Sequence, residues 1–189
     1  METTDETKRK PIVIALTGNP GVGKSTLAAY IFARLKMLDV NCELVTEFAK
    51  DKVWENNDTA LANQVYIFAK QYYRLSRCAD KVDVIVTDSP LVLTPLYNRE
   101  PPEISNPLNE LSLAVYNAFN NLTYFVKRVK KYNPIGRLET EEESNAKGLK
   151  LRDLLDKHNI KYKVIDGDLI SADVIVQDVM ELLKKGSDR

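Results

Sequence analysis

Gly18-Asn19-Pro20-Gly21-Val22-Gly23-Lys24-Ser25, with Thr26 behind it, decides the reading of this chain. The spacing is G-x-x-x-x-G-K-S, that of a phosphate-binding loop. Its glycines let backbone N–H groups turn toward phosphate oxygens that a β-carbon would hold away. Lys24 supplies a point charge for the β- and γ-phosphates, and the Ser25 hydroxyl is a Mg²⁺ ligand. All nine residues from Gly18 to Thr26 are therefore the expected phosphate cradle. The loop must also open a helix, whose bare N–H donors and partial positive charge add to the site.

The flanks agree with that demand. Pro11-Ile12-Val13-Ile14-Ala15-Leu16-Thr17 is a continuous apolar run rich in β-branched residues, as a buried parallel strand requires. Ser25 to Lys36 holds good helix formers, with apolar residues at 27, 31, 35 and 38. Strand, loop and helix together imply a bound nucleoside triphosphate. No Asn/Thr-Lys-x-Asp guanine signature occurs, which favours ATP.

At 189 residues the chain is long enough to close one core without staples. The 44% apolar and 29% charged content is ordinary for a globular protein, and a net charge of zero offers no global field toward nucleic acid or membrane. Cys42 and Cys78 sit in apolar surroundings without metal-ligand spacing, so reduced thiols and a cytoplasmic setting are expected. No stretch approaches the roughly 20 apolar residues that span a bilayer. Residues 1–10 read as a disordered polar tail, with one domain over 11–185.

Along the rest of the chain, Cys42 to Thr46 reads as a second strand that delivers Glu47 to its C-terminal end, where open α/β sheets bind ligands. A short helix or ordered loop over 48–54 follows. Asp58 is then a candidate N-cap for a long helix over 59–79 with an apolar stripe at Leu61, Val65, Phe68, Tyr72 and Leu75. Off that stripe, Gln64 suits the edge of a base and Arg74 a phosphate or carboxylate. Asp83 to Asp88 is a third strand whose last residue, Asp88, has the position of an acid that orients a Mg²⁺ shell. Ser89-Pro90 follows in place of a water-activating glutamate, which favours transfer to an acceptor.

Residues 97–109 read as a Pro/Asn-rich loop, a candidate lid, ahead of a helix over 109–120. A fourth strand, 122–126, runs into five Lys/Arg between Lys127 and Arg137. That stretch reads as a closing lid, with Arg128 and Arg137 as candidate clamps on transition-state charge, or else as a solvated basic hairpin. Glu139 to Glu143 is the acidic start of a helix, for which the macrodipole is reason enough. Leu149 to His158 is helical, with Gly148 a break before it and His158 a structural helix end. A fifth strand over 160–165 leads to Asp166-Gly167-Asp168, a turn suited to the adenine side, and a last helix covers 171–185. Five strands alternating with helices make an α/β fold with a five-stranded parallel sheet covered on both faces.

GNPGVGKST, LVTEFAKDKVW, VDVIVTDSP and YFVKRVKKYNPIGR…ETEEE together resemble the small P-loop kinase-like ATPases often found in bacteriophages. The chain is similar to the ribosylnicotinamide-kinase domain and, more distantly, to deoxynucleoside and thymidylate kinases. The likeness runs from about residue 11 to 185, and only the phosphate loop in it is highly specific. It implies strand order 2-3-1-4-5. It implies that Glu47 takes the proton of the acceptor hydroxyl, that Asp88 lies near Mg²⁺, and that Arg128 and Arg137 are strand-4 and lid arginines. Ser89 stands where deoxynucleoside kinases have an arginine, and Glu47-Phe48 where thymidylate kinases have Asp-Arg, so neither substrate carries over.

The expected activity is ATP- and Mg²⁺-dependent phosphoryl transfer to a small nucleoside- or nucleotide-like acceptor, with no membrane partner. Two alternatives stand beside it. One is a kinase of hydroxymethyl-pyrimidines in DNA, which the neutral charge disfavours and the 127–137 segment permits. The other is a nucleotide-dependent switch acting on a protein partner.

Overall fold

A computed structural model describes residues 10–133, 135 and 140–187. The tail expected over residues 1–10 therefore falls, but for Lys10, outside the described residues. So does Arg137.

Five parallel strands, β1 (Ile12–Thr17), β2 (Cys42–Val45), β3 (Val84–Thr87), β4 (Asn120–Lys127) and β5 (Tyr162–Asp166), form one sheet in the order β2-β3-β1-β4-β5. β1 is central and every one of its residues is buried. Its side chains alternate between two cores, as a pleated strand requires. Ile14 and Leu16 pack with α1 (Lys24–Met37) and α8 (Leu169–Ser187), whereas Val13 and Ala15 face the opposite layer. That second layer contains α4 (Gln64–Ser76), α6 (Pro102–Ala118) and α7 (Glu141–Lys157). Short helices α2 (Phe48–Trp54), α3 (Asp58–Ala62) and α5 (Thr94–Tyr97) fill the connections. Helices on both faces leave the C-terminal strand ends as the open edge, where β1 meets the phosphate loop.

Five local expectations are corrected. The helix expected over 59–79 is two, because Asn63 leaves helical geometry (φ −89°, ψ 91°) and accepts from the N–H of Tyr66, restarting the chain as α4. Asn57, accepting from the N–H of Ala60, caps α3 in place of Asp58. The restart also shifts the buried stripe to Gln64, Ile67, Phe68, Gln71 and Leu75, leaving Val65 and Tyr72 exposed.

The Pro/Asn-rich segment is mostly helix. Only 98–101 links α5 to α6, and Pro102 opens α6 with the φ that a first turn needs. Pro107 lies inside that helix, where it forfeits one backbone bond. The Asn98 amide donates to Asn109 Oδ1 (2.8 Å) and to the carbonyl of Ser105 (3.3 Å), tying α6 to its own entry.

Gly148 does not break a helix. α7 runs through it from a capping box in which Thr140 and Glu143 satisfy each other's backbone N–H. A β-carbon at residue 148 would lie 1.9 Å from Asn19 Oδ1, so this glycine lets α7 lie against the phosphate loop. His158 ends α7 at its C-cap, as expected.

Candidate functional site

The phosphate loop leaves β1 at Thr17, whose buried hydroxyl donates to the carbonyl of Tyr124 (3.0 Å) and ties the loop's root to β4. Gly18 then takes φ 133°, and a β-carbon there would come within 2.5 Å of the Val126 carbonyl. Both constraints demand glycine. Gly23 ends the turn as the N-cap of α1, with no side chain to occlude that helix's first N–H groups. Lys24 folds back over the loop and donates to the carbonyls of Gly18 (3.0 Å) and Asn19 (3.1 Å).

Two other elements press the loop into shape. Gly167, after β5, donates its N–H to the Lys127 carbonyl (2.9 Å), and a β-carbon on it would meet the Val22 carbonyl at 2.4 Å. The turn expected on the adenine side thus packs directly against the loop's backbone. Asp168 accepts from the N–H of Ser171 (2.8 Å) and caps α8, and that hydrogen bond holds its carboxyl below the ordinary range. From the other side, Ser144 of α7 donates to the Pro20 carbonyl (2.7 Å).

Arg128 belongs to this frame. Its guanidinium pairs with Glu141 (2.8 Å) and donates to Ser144 Oγ (2.7 Å) and the Pro20 carbonyl (3.3 Å). Its Nε is buried and has no partner among the described residues. Lys127, one residue earlier, pairs with Asp166 (2.8 Å). The first half of the basic stretch therefore braces the loop from behind, and residues 127–133 do not line the cleft in front of it.

That cleft has a volume of about 1010 Å³ and opens at the C-terminal ends of β1, β2 and β3. Lys24, Ser25, Thr26, Glu47 and Asp88 all line it. The structure thus brings together five residues that the sequence spreads over 65 positions. Asp88 is 4% exposed, and its Oδ1 accepts the backbone N–H of Glu47 (3.1 Å), locking the ends of β2 and β3 together. Its other carboxylate oxygen takes no hydrogen bond among the described residues. Glu47 is the N-cap of α2, yet its side chain makes no capping bond.

The donor set fits Mg²⁺ of the phosphate-bound kind. No cluster of three or more His, Cys, Asp or Glu could hold a metal by protein ligands alone among the described residues. The Ser25 hydroxyl and the Asp88 carboxylate both belong to residues that line the cleft. Mg²⁺ in nucleotide sites keeps its waters and takes one or two protein ligands beside the phosphates.

Beyond the strand ends the cleft is lined from α2, α3, α4 and the turn after Pro90. Trp54, Leu61, Gln64, Ile67 and Phe68 line this part. Gln64 is 6% exposed, and its side-chain amide makes no hydrogen bond among the described residues, as a group kept for a ligand would. Arg74 is not in the cleft. It pairs with Asp51 and donates to the Thr46 carbonyl (3.3 Å), bracing α2 against α4.

The opposite wall comes from α7, and it carries cations that sequence reasoning missed. Lys147 and Lys150 line the cleft together with Glu143 and Ala146, one helix stripe away from the buried Ser144, Gly148 and Leu151. The signal was the 3.6 period of two adjacent stripes, which a helix expected to break at Gly148 could not reveal. The Lys147 ammonium lies 4.6 Å from the centre of the Tyr97 ring. Arg99, Lys50 and Lys150 make no ion pair among the described residues.

A family model described as an AAA domain matches residues 13–171. Among solved structures, the chain is similar to the NadR protein in complex with NR, with a TM-score of 0.71 and 20% identity over 92% of this chain and 52% of that one. It is similar also to the NadR protein in complex with NAD and AMP-PNP, with a TM-score of 0.68 and 19% identity over 91% of this chain and 49% of the other. The chain thus spans about half the length of these proteins, and at such identity the likeness is one of fold. No curated protein matches it. Among the described residues no helix is long and apolar enough to cross a membrane.

Proposed function

The chain belongs to the AAA domain family, and on that premise we propose that it is an ATP- and Mg²⁺-dependent phosphotransferase acting on a nucleoside- or nucleotide-like acceptor. One observation carries the reading. The phosphate loop and the carboxylates of Glu47 and Asp88 line a single cleft, which is lined also by an indole, a phenyl ring and the Gln64 amide, unpaired among the described residues. A hydrolase that serves as a switch has no need of the second half. The NadR proteins of the same fold bind NR, NAD and AMP-PNP, ligands of the two kinds that such a cleft would hold.

In this reading the loop amides and Lys24 hold the triphosphate; Ser25 and, directly or through water, Asp88 would hold the metal, which would supply charge to neutralise the phosphate oxygens. Glu47 accepts the proton of the acceptor hydroxyl as that oxygen attacks the γ-phosphorus and the bond to the β–γ bridging oxygen breaks, releasing ADP. Gln64 meets the donor–acceptor edge of a planar ring. Lys147 and Lys150 supply cations on the acceptor-facing wall, and Arg137 keeps the clamping role expected of it. Arg128 works from behind, by holding the carbonyl of Pro20. Catalysis of this kind is positioning plus electrostatics.

A second reading, phosphorylation of a hydroxymethyl-pyrimidine within DNA, is favoured by Lys50, Arg99 and Lys150, cleft cations without ion pairs among the described residues. Polyanion binding releases counterions and weakens steeply with salt.

ATP consumption decides among these. The protein with Mg²⁺ is given nucleosides, nucleoside monophosphates, ribosylnicotinamide, or duplex DNA containing hydroxymethyluracil. ADP release that requires a small acceptor supports the first reading. Release that requires the DNA and falls with salt supports the second. Slow release without any acceptor overturns both and leaves a nucleotide-dependent switch.

A further inference from the structure

Gln71 is 6% exposed on α4, and its amide is spent wholly on backbone. Oε1 accepts the N–H of Phe48 (2.8 Å), and Nε2 donates to the carbonyl of Thr46 (3.3 Å). These two groups flank Glu47. The β2–β3 ladder ends at the Val45–Thr87 pair, and α2 begins at Phe48, so the groups between belong to neither sheet nor helix. Left unpaired, each would cost the desolvation of a polar group. Asp88 takes the remaining N–H, that of Glu47 itself (3.1 Å).

The N-terminus of a helix ordinarily has its first N–H groups met by the side chain of its own N-cap residue. At α2 the N-cap is Glu47, and its side chain makes no such bond. Gln71, reaching across from α4, supplies an acceptor for the first of those N–H groups, that of Phe48. Glu47, whose side chain makes no capping bond, lines the cleft. An ordinary packing residue at this buried position would be apolar, like Phe68 and Leu75 on the same stripe.

We propose that Gln71 is the positioning residue for Glu47: it accepts the first N–H of α2 and donates to the carbonyl of Thr46, fixing the backbone on both sides, so that the carboxylate is held toward the acceptor hydroxyl. The proposal rests on the reading of Glu47 as the acceptor-side base. It deepens that reading by assigning the base its support.

The test is a double-substitution cycle in the full chain, with kcat and KM measured on ribosylnicotinamide, thymidine monophosphate and duplex DNA containing hydroxymethyluracil, and AMP-PNP affinity measured separately. Gln71→Leu keeps the volume and removes the amide. Displacement of a reacting group by about 1 Å costs about 100-fold in rate, and that loss is expected in kcat, with AMP-PNP affinity within twofold of wild type. Combined with Glu47→Gln, Gln71→Leu is expected to cost less than about threefold more, because the group it positions is already gone. Gln71→Glu keeps the acceptor for Phe48 and sets its second oxygen against the Thr46 carbonyl, so its kcat is expected between those of wild type and Gln71→Leu. That variant carries the cycle if Gln71→Leu fails to fold. Wild-type kcat in Gln71→Leu, or a loss of equal size with and without Glu47→Gln, overturns the proposal alone. Wild-type kcat in Glu47→Gln overturns the reading of Glu47 and the proposal with it.

Discussion

Lys24 is held over the loop by two carbonyls, those of Gly18 and Asn19, so its ammonium sits where incoming phosphates must pass. Lys24→Ala is expected to lower kcat by about 10²–10³-fold, the usual effect of losing one preorganised donor. Asp88→Asn keeps an acceptor for the Glu47 N–H while removing the charge, so its deficit is expected in metal-dependent turnover with thermal stability little changed; a Mg²⁺ titration of rate separates the two. Gln64→Leu is expected to raise the acceptor KM at least about tenfold and leave the ATP KM alone, since an amide–ligand bond is worth about 1.5 kcal/mol. Steady-state kinetics with each substrate varied in turn checks it. At this scale the sequence was informative for the loop, because every residue of the motif has its own chemical reason. It left Arg74 open between a phosphate and a carboxylate, of which the structure supplies Asp51, and was silent on Gln71, because a side chain's partner across 23 or 28 positions is not visible in local spacing.

α7 and the turn after β5 press on the loop through two glycines, and the two presses differ in kind. At Gly148 the three nearest atoms to a β-carbon all belong to the side chain of Asn19, which can rotate away. At Gly167 they include the carbonyls of Val22 and Lys127, which cannot. Gly167→Ala is therefore expected to destabilise by about 1–3 kcal/mol and to weaken AMP-PNP binding, with Gly148→Ala the milder of the two. Asn19→Ala added to Gly148→Ala should restore most of the lost stability and add nothing to Gly167→Ala. Thermal unfolding with and without AMP-PNP reads both results. Strands were legible because buried parallel strands are apolar runs, whereas their order, which apolar runs do not encode, came from the resemblance to P-loop kinases. Helix limits around 58–64, 97–109 and 141–148 were not. There, Asn caps, a tied proline helix and an interior glycine obey contacts made with other elements.

Across the whole molecule the sheet divides two cores, and a buried tyrosine hydroxyl on each side shapes the response to alkali. Tyr116 shares a hydrogen bond with Thr123, and burial pushes its phenol up to about 12. Tyr124 donates to Asp178 (3.1 Å), and burial together with that carboxylate raises it as well. In the unfolded chain both ionise near pH 10, so above that pH unfolding releases protons and is favoured. The contribution is complete below pH 10 and is lost as pH climbs toward 12. The melting temperature should fall steeply over that range, and Tyr116→Phe should make the fall shallower. By itself the sequence determined the nucleotide end of this protein: a strand, a loop and a helix whose chemistry is local, with Asp88 and Glu47 at strand ends. Only the tertiary structure decided the rest. It set Arg128 behind the loop, put Lys147 and Lys150 on the cleft wall and gave Gln71 the backbone around Glu47. The physical reason is that a motif is fixed by the conformations its own residues allow, whereas a brace or a cap is fixed by whichever polar group folding has left unpaired nearby.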